Sequence, residues 1–256
     1  MESVIVERSE TGVVCVTLNR PHKKNAIDYP TWDRLTEVFH EVSRSATDRV
    51  LVLTGSKGAF CSGADLSSNG EPQHPLDAMH YVNATGLTLH QIPKPTIAKV
   101  NGVAAGAGMN LALGCDLIVA GASARFSEIF ARRGLSLDMG GAWLLPRLVG
   151  LHKAKELALL AEVIDASEAE RIGIVNRVVP DEKLDAFVDE WAERLAAGPP
   201  LALQMSKRLL NSGLQMGVSE MLHWEGMAQS VNMSSNDVVE AFKAFLDKRE
   251  PTFKGR

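Results

Sequence analysis

Cysteine is scarce and scattered in this chain. The 256 residues hold three, Cys15, Cys61 and Cys115, with no metal-ligand spacing. An odd, unclustered set excludes a disulfide framework or zinc cluster and suits a reducing compartment. The seven histidines form no H-E-x-x-H pattern, so no metal is expected. No apolar run approaches the ~18 residues of a membrane span. The opening Met1-Glu2-Ser3, with charges soon after, lacks a secretory apolar core. The expectation is a cytoplasmic protein with no membrane partner. Basic charge is not in excess either: 27 Lys and Arg stand against 31 Asp and Glu, a formal net charge of −4, which argues against a nucleic-acid partner. Aromatics make up only 5%, whereas 45% hydrophobic and 23% charged residues are ordinary for a globular protein. The length fits one large domain, or one domain with an appendage.

What is present begins with short β-branched runs. Val4-Ile5-Val6 and Val13 to Leu18, separated by Ser9-Glu10-Thr11-Gly12, read as a hairpin. Trp32, Leu35, Val38, Phe39 and Val42 recur at helical spacing within Pro30 to Ser45. A strand at 50–54, a polar stretch from Ser67 to Pro75, and a helix from Leu76 to Gln91 ended by Pro93 and Pro95 follow. Strands at 96–100 and from Asp116 to Ala120 come next. This β-turn-α succession predicts a largely parallel, wound α/β structure. From about Leu151 the strand runs nearly vanish, Ile174 to Val179 excepted. Helical patterns over 181–196, 200–212, 217–230 and 235–248 take over. The Gly198-Pro199-Pro200 break divides a core, 1–197, from a helical module, 198–256.

Two glycine-rich turns carry the chemistry. Gly58 to Asp65 follows the strand at 50–54, and Asn101 to Gly108 follows the strand at 96–100 and runs into an apolar helix. A strand, a glycine turn and a helix start leave unpaired N–H groups at a positive helix end. Two such turns can aim two donors at one oxygen, an oxyanion hole for carbonyl chemistry. Dinucleotide binding does not fit. Leu111 stands where the third glycine of G-x-G-x-x-G belongs, and Ala120 to Ala124 offers no acidic residue.

Phe60-x-x-Gly63-x-Asp65, Asn101-Gly102, Gly106-x-Gly108, Cys115-Asp116, Phe126, Gly134 and Gly140-Gly141 together resemble the crotonase superfamily of enoyl-CoA hydratases and isomerases. Leu18-Asn19-Arg20-Pro21, Asn25-Ala26 and Phe245-Leu246-x-Lys248-Arg249 extend the resemblance over nearly the whole chain. It implies a repeated β-β-α spiral core with a C-terminal helical trimerisation module, assembled as a homotrimer or hexamer, with Met216, Met221, Leu222, Trp224 and Met227 as candidate contacts. It also implies a coenzyme A thioester as substrate and no permanently bound cofactor. The oxyanion donors would be the N–H groups of Ser62 and Ala107. Ala64, Asp65 and Leu66 would cradle the adenine. Arg20, Lys23 or Lys24 would approach the phosphates, and Lys248 a neighbour's coenzyme A.

The carboxylates depart from the family pattern. Hydratases of the superfamily use two glutamates, and counting without gaps puts these positions at Asn110 and Phe130. Neither exchanges a proton, so the standard pair is missing. Asp138 stands where several isomerases and a dehalogenase of the superfamily carry a catalytic Asp. A single carboxylate suits moving a proton from one carbon to another. Asp138 also precedes the apolar run Gly141 to Val149, where it would serve as a helix cap. Glu128 reads as solvent-facing, and Cys61 lacks a histidine to activate it. Met79, His80, Val82, Leu87 and Leu89 read as acyl-pocket lining or as a plain amphipathic helix. The readings left open are an enoyl-CoA isomerase, a hydratase, and a non-catalytic acyl-CoA-binding oligomer.

Overall fold

The computed structural model describes residues 2–67 and 74–256; most of the polar stretch expected over Ser67 to Pro75 lies outside the described residues. The strands are β1 (Val4–Arg8), β2 (Val13–Leu18), β3 (Val50–Gly55), β4 (Thr96–Val100), β5 (Val103–Ala105), β6 (Leu117–Gly121), β7 (Arg125–Ser127), β8 (Ile164–Asp165) and β9 (Arg177–Val179). The helices are α1 (Tyr29–Arg44), α2 (Pro75–His90), α3 (Ala107–Leu113), α4 (Gly141–Val149), α5 (Leu151–Leu160), α6 (Ala166–Arg171), α7 (Leu184–Ala196), α8 (Pro200–Gly213), α9 (Val218–Met233) and α10 (Asn236–Asp247).

A six-stranded sheet runs in the order β1-β2-β3-β4-β6-β9. Only the β1–β2 hairpin is antiparallel; every later pairing in that sheet is parallel. Parallel strands are buried on both faces, and β3 is buried at all of its positions. Its alternation divides the core. Leu51 and Leu53 face the cluster that holds Leu35, Phe39 and Val42 of α1. Val50 and Val52 face Leu184, Val188 and Ala192 of α7 on the other side. Asp28 starts α1 by accepting from the Thr31 N–H at 3.1 Å, and Pro30 occupies its first turn.

A second sheet, β5-β7-β8, was hidden in the sequence. Its strands are only two or three residues long, too short for alternation to register. Cys61 adds a parallel bridge to Ala104 beside it. The chain therefore passes repeatedly from the large sheet to the small one and out into a helix: β3, Cys61, α2; β4, β5, α3; β6, β7, α4. That is the expected β-β-α spiral, and it stacks the two glycine turns beside each other.

The three helices α8 to α10 differ from the rest. No residue of α8 or α9 is buried, and α10 buries only Asp237 and Ala244. They are tied to the core by polar contacts: Lys207 to Asp116 at 2.7 Å, and Arg49 to the Phe253 carbonyl at 2.8 Å. Among the described residues, no helix is long and apolar enough to cross a membrane.

Candidate active site

The first turn is held by the segment before α1. The Ile27 N–H donates to the Gly63 carbonyl at 2.9 Å, and the Asp65 N–H donates to the Ile27 carbonyl at 2.8 Å. Ala64 lies between these bonds in an extended rung opposite Ile27. Because successive N–H groups of an extended chain point to opposite sides, the Ala64 N–H turns away from Ile27. It has no hydrogen bond among the described residues. Ser62, the expected donor, is different: its N–H donates to the Lys24 carbonyl at 3.1 Å. The expectation for Ser62 is corrected on that ground, since a committed N–H cannot serve an oxyanion.

The second turn sits directly against the first. The Ala105 N–H donates to the Cys61 carbonyl at 2.9 Å. Gly63 has φ +102°, and a side-chain carbon there would lie 3.0 Å from the Ala105 carbonyl and 3.7 Å from the Ala107 nitrogen. Both the conformation and the approach require glycine. Ala107 is the first residue of α3, so its N–H has no intrahelical acceptor, and it has none elsewhere among the described residues. Ala64 and Ala107 together line a cavity of about 420 Å³ with Lys24, Val103, Ile129, Phe130, Arg133, Leu135 and Asp138.

Asp138 enters that cavity from the turn before α4. It is not the helix cap: Gly140 takes that position, with no side chain capping the helix. What Asp138 contributes to the helix start is its backbone carbonyl, which accepts from the Gly141 N–H at 2.8 Å. The same carbonyl accepts from the Asn110 amide at 3.1 Å. Asn110 is itself packed so closely on Gly141 that a methyl group there would overlap its amide. The residue at the family's first glutamate position therefore anchors the Asp138 turn. The Asp138 carboxyl is left free, with Oδ1 buried and unpartnered. Burial raises it to about 6, against the lowering effect of the Asn110 amide.

Glu128 does not face solvent. It is 1% exposed, at the end of β7 where the short 3-10 turn Ile129–Arg133 begins, and neither carboxyl oxygen has a partner among the described residues. Burial first, and the Asp138 charge second, push it up to about 8. The only sequence signal was its setting between Phe126 and Phe130. Phe130, at the family's second glutamate position, forms apolar cavity wall instead.

Comparison with known proteins agrees with this geometry. A family model described as Enoyl-CoA hydratase/isomerase matches residues 8–256. The chain belongs to this family. It is 38% identical to the 1,2-epoxyphenylacetyl-CoA isomerase of Escherichia coli K12, over all of both chains. It is 39% identical to a probable enoyl-CoA hydratase of Rhodobacter capsulatus, over 96% of this chain and 95% of that one. The crystal structure of an enoyl-CoA hydratase from Bacillus anthracis superposes with a TM-score of 0.96 at 32% identity, covering both chains fully. The fold is thus that of the crotonase superfamily, and the protein is an acyl-CoA enzyme of the hydratase/isomerase kind.

Set against the family pattern, the remaining expected residues divide. Lys24, Ala64 and Leu66 line the cavity. Arg20 is turned inward, paired with Asp28 at 3.0 Å and Asp65 at 2.9 Å, so it holds the first turn to the start of α1 rather than meeting phosphate. Burial works to raise the Asp65 carboxyl, but hydrogen bonds from Ser67 and Arg20 and the Lys23 charge outweigh it and hold Asp65 at about 2. Its side chain is thereby committed to the loop. Lys248 is the left-handed cap of α10, outside the cavity lining of its own chain. Cys61 is buried and pushed up to about 12 by that burial, an inert thiol. Met79, His80, Val82, Leu87 and Leu89 do not line the cavity; Val82 and Leu89 are buried in the main core instead.

Proposed function

We propose that the protein is an enoyl-CoA isomerase. The observation that carries this reading is a free Asp138 carboxyl in the same cavity as two unpaired N–H groups, those of Ala64 and Ala107. The two N–H groups receive the thioester oxygen, Ala64 taking the part first expected of Ser62. The Asp138 carboxylate takes a proton from C2 of a 3-enoyl thioester. The C2 electron pair moves towards the thioester oxygen, where the N–H pair stabilises the resulting dienolate. Return of the same proton to C4 leaves the double bond between C2 and C3, and Asp138 is again ionised. Each donor is worth on the order of 3 kcal/mol of transition-state stabilisation. No permanently bound cofactor enters this sequence. Lys24, Ala64 and Leu66 hold the coenzyme A end of the substrate, with Lys248 of a neighbouring copy.

Glu128 supports a second reading. Its carboxyl, at about 8, and that of Asp138, at about 6, differ in proton affinity in the way an acid and a base must. Hydration of a 2-enoyl thioester would use Asp138 to activate water and Glu128 to return the proton. Purified protein assayed separately with 3-enoyl-CoA and 2-enoyl-CoA decides between them. Turnover of 3-enoyl-CoA to the 2-enoyl product, with no 3-hydroxyacyl product, is the expected result. Rapid hydration of 2-enoyl-CoA reverses the order of the readings.

We further infer that 198–256 is the assembly module of a homotrimer, doubled to a hexamer or not. Leu210, Phe245 and Leu246 are 76%, 81% and 79% exposed, and apolar area of this density in a soluble enzyme is an interface. Met216, Met221, Trp224 and Met227 line a groove of about 310 Å³ between α8 and α9, while Leu222 is exposed beside it. Light scattering at micromolar concentration should give three or six times the mass of the 27.7 kDa chain. A clean monomer would remove the module from the reading.

A further inference from the structure

The cavity carries a cation at each end. Lys24 stands with Ser62, Gly63, Ala64 and Leu66; Arg133 stands with Ile129, Phe130, Leu135 and Asp138. Among the described residues, neither side chain has an ion pair or a hydrogen bond. Arg133 is not even paired with Asp138, which shares its end of the cavity. The argument that follows rests on the isomerase/hydratase reading of this site.

In that reading, the thioester oxygen lies between the Ala64 and Ala107 N–H groups, and the reacting carbons lie at Asp138. Coenzyme A carries all of its phosphates on the sulfur side of the thioester, the side of Lys24 and Leu66. Arg133 is on the other side, with the acyl chain. Its immediate neighbours there are apolar except for Asp138. For a plain alkyl chain, a guanidinium at this place offers nothing and must be desolvated. For a carboxylate it offers a planar fork of donors that matches both oxygens.

We propose that Arg133 is a specificity-determining residue that selects acyl-CoA substrates whose acyl chain ends in a carboxylate. The acyl-chain anion neutralises the one cation that coenzyme A cannot reach. Arg132, the next residue, does not line the cavity, so the recognition falls to one side chain.

The test compares two saturated ligands of equal chain length that the enzyme cannot turn over, hexanoyl-CoA and adipyl-CoA, by titration calorimetry. Wild type should bind adipyl-CoA at least about tenfold more tightly, the order expected of a charge-assisted hydrogen-bonded pair. Arg133→Met should bring that ratio close to one, with the loss falling on adipyl-CoA. Arg133→Lys, which keeps the charge but not the fork, should retain only part of the preference. Equal wild-type affinities overturn the proposal while leaving the acyl-CoA site intact. An equal loss for both ligands in Arg133→Met overturns it too, because it assigns Arg133 to the phosphates. If folded wild type binds neither ligand, the acyl-CoA reading of the cavity falls with it.

Discussion

Asp138→Asn should leave the enzyme folded and able to bind acyl-CoA, while slowing double-bond isomerisation by roughly 10²–10⁴-fold, the usual worth of general acid–base catalysis. The asparagine amide has nearly the same shape but cannot take the C2 proton. Stability should barely suffer, because the Asp138 side chain caps no helix and one of its oxygens is buried without a partner. Its backbone carbonyl, which does hold the turn, is untouched by the substitution. In wild type the carboxyl sits at about 6, so kcat/KM should rise as pH increases through that value and the base ionises. This acid limb should vanish from whatever activity the variant retains. A raised carboxyl pKa makes the folded state lose stability as pH rises from the ordinary range through about 6. The neutral variant should therefore melt no lower than wild type above that pH. Turnover within a factor of two of wild type would take Asp138 out of the mechanism.

The spiral core was legible because β-branched runs and glycine turns are local signals. Val50 to Thr54 and Thr96 to Val100 state their strand character in five residues each, and the turns after them can only be glycine-rich. The same locality explains the errors. Whether Ser62 or Ala64 offers its N–H depends on pairing with Lys24 and Ile27, almost forty positions earlier, and no spacing within Phe60 to Leu66 encodes that register. Asp138 looked like a cap because Asp before an apolar run usually is one. Here the helix starts from Gly140 in the left-handed conformation, a choice of backbone rather than of side chain. The residues of α2 showed helical spacing but not which neighbour they meet, and the core took Val82 and Leu89 from the acyl pocket. Glu128 was the hardest to read, because burial of a lone carboxyl runs against its own solvation. A rule of polar residues outside assigns it to the surface, and sites that break that rule are where function concentrates.

That burial has a measurable cost, and Glu128→Gln should remove it. The Glu128 carboxyl is pushed from its ordinary 4.5 to about 8. Below pH 4.5 it is protonated in folded and unfolded chains alike, and it imposes no charge penalty. Between 4.5 and 8 the unfolded chain releases the proton and the folded chain keeps it, so stability falls by about 1.4 kcal/mol per pH unit. By pH 8 the accumulated loss is roughly 4 kcal/mol on the same relation, a large share of the 5–15 kcal/mol that holds a typical domain together. Glutamine resembles the protonated acid in size and charge at every pH, so its own desolvation adds only a constant offset. The diagnostic quantity is therefore the slope. The stability of Glu128→Gln minus that of wild type should grow by about 3–4 kcal/mol between pH 5 and pH 8, read by denaturant titration. A flat difference across that range would mean that Glu128 is already ionised inside the fold, and the site would then hold two negative charges at neutral pH. That outcome would also remove the hydratase reading's acid, since an ionised Glu128 has no proton to return.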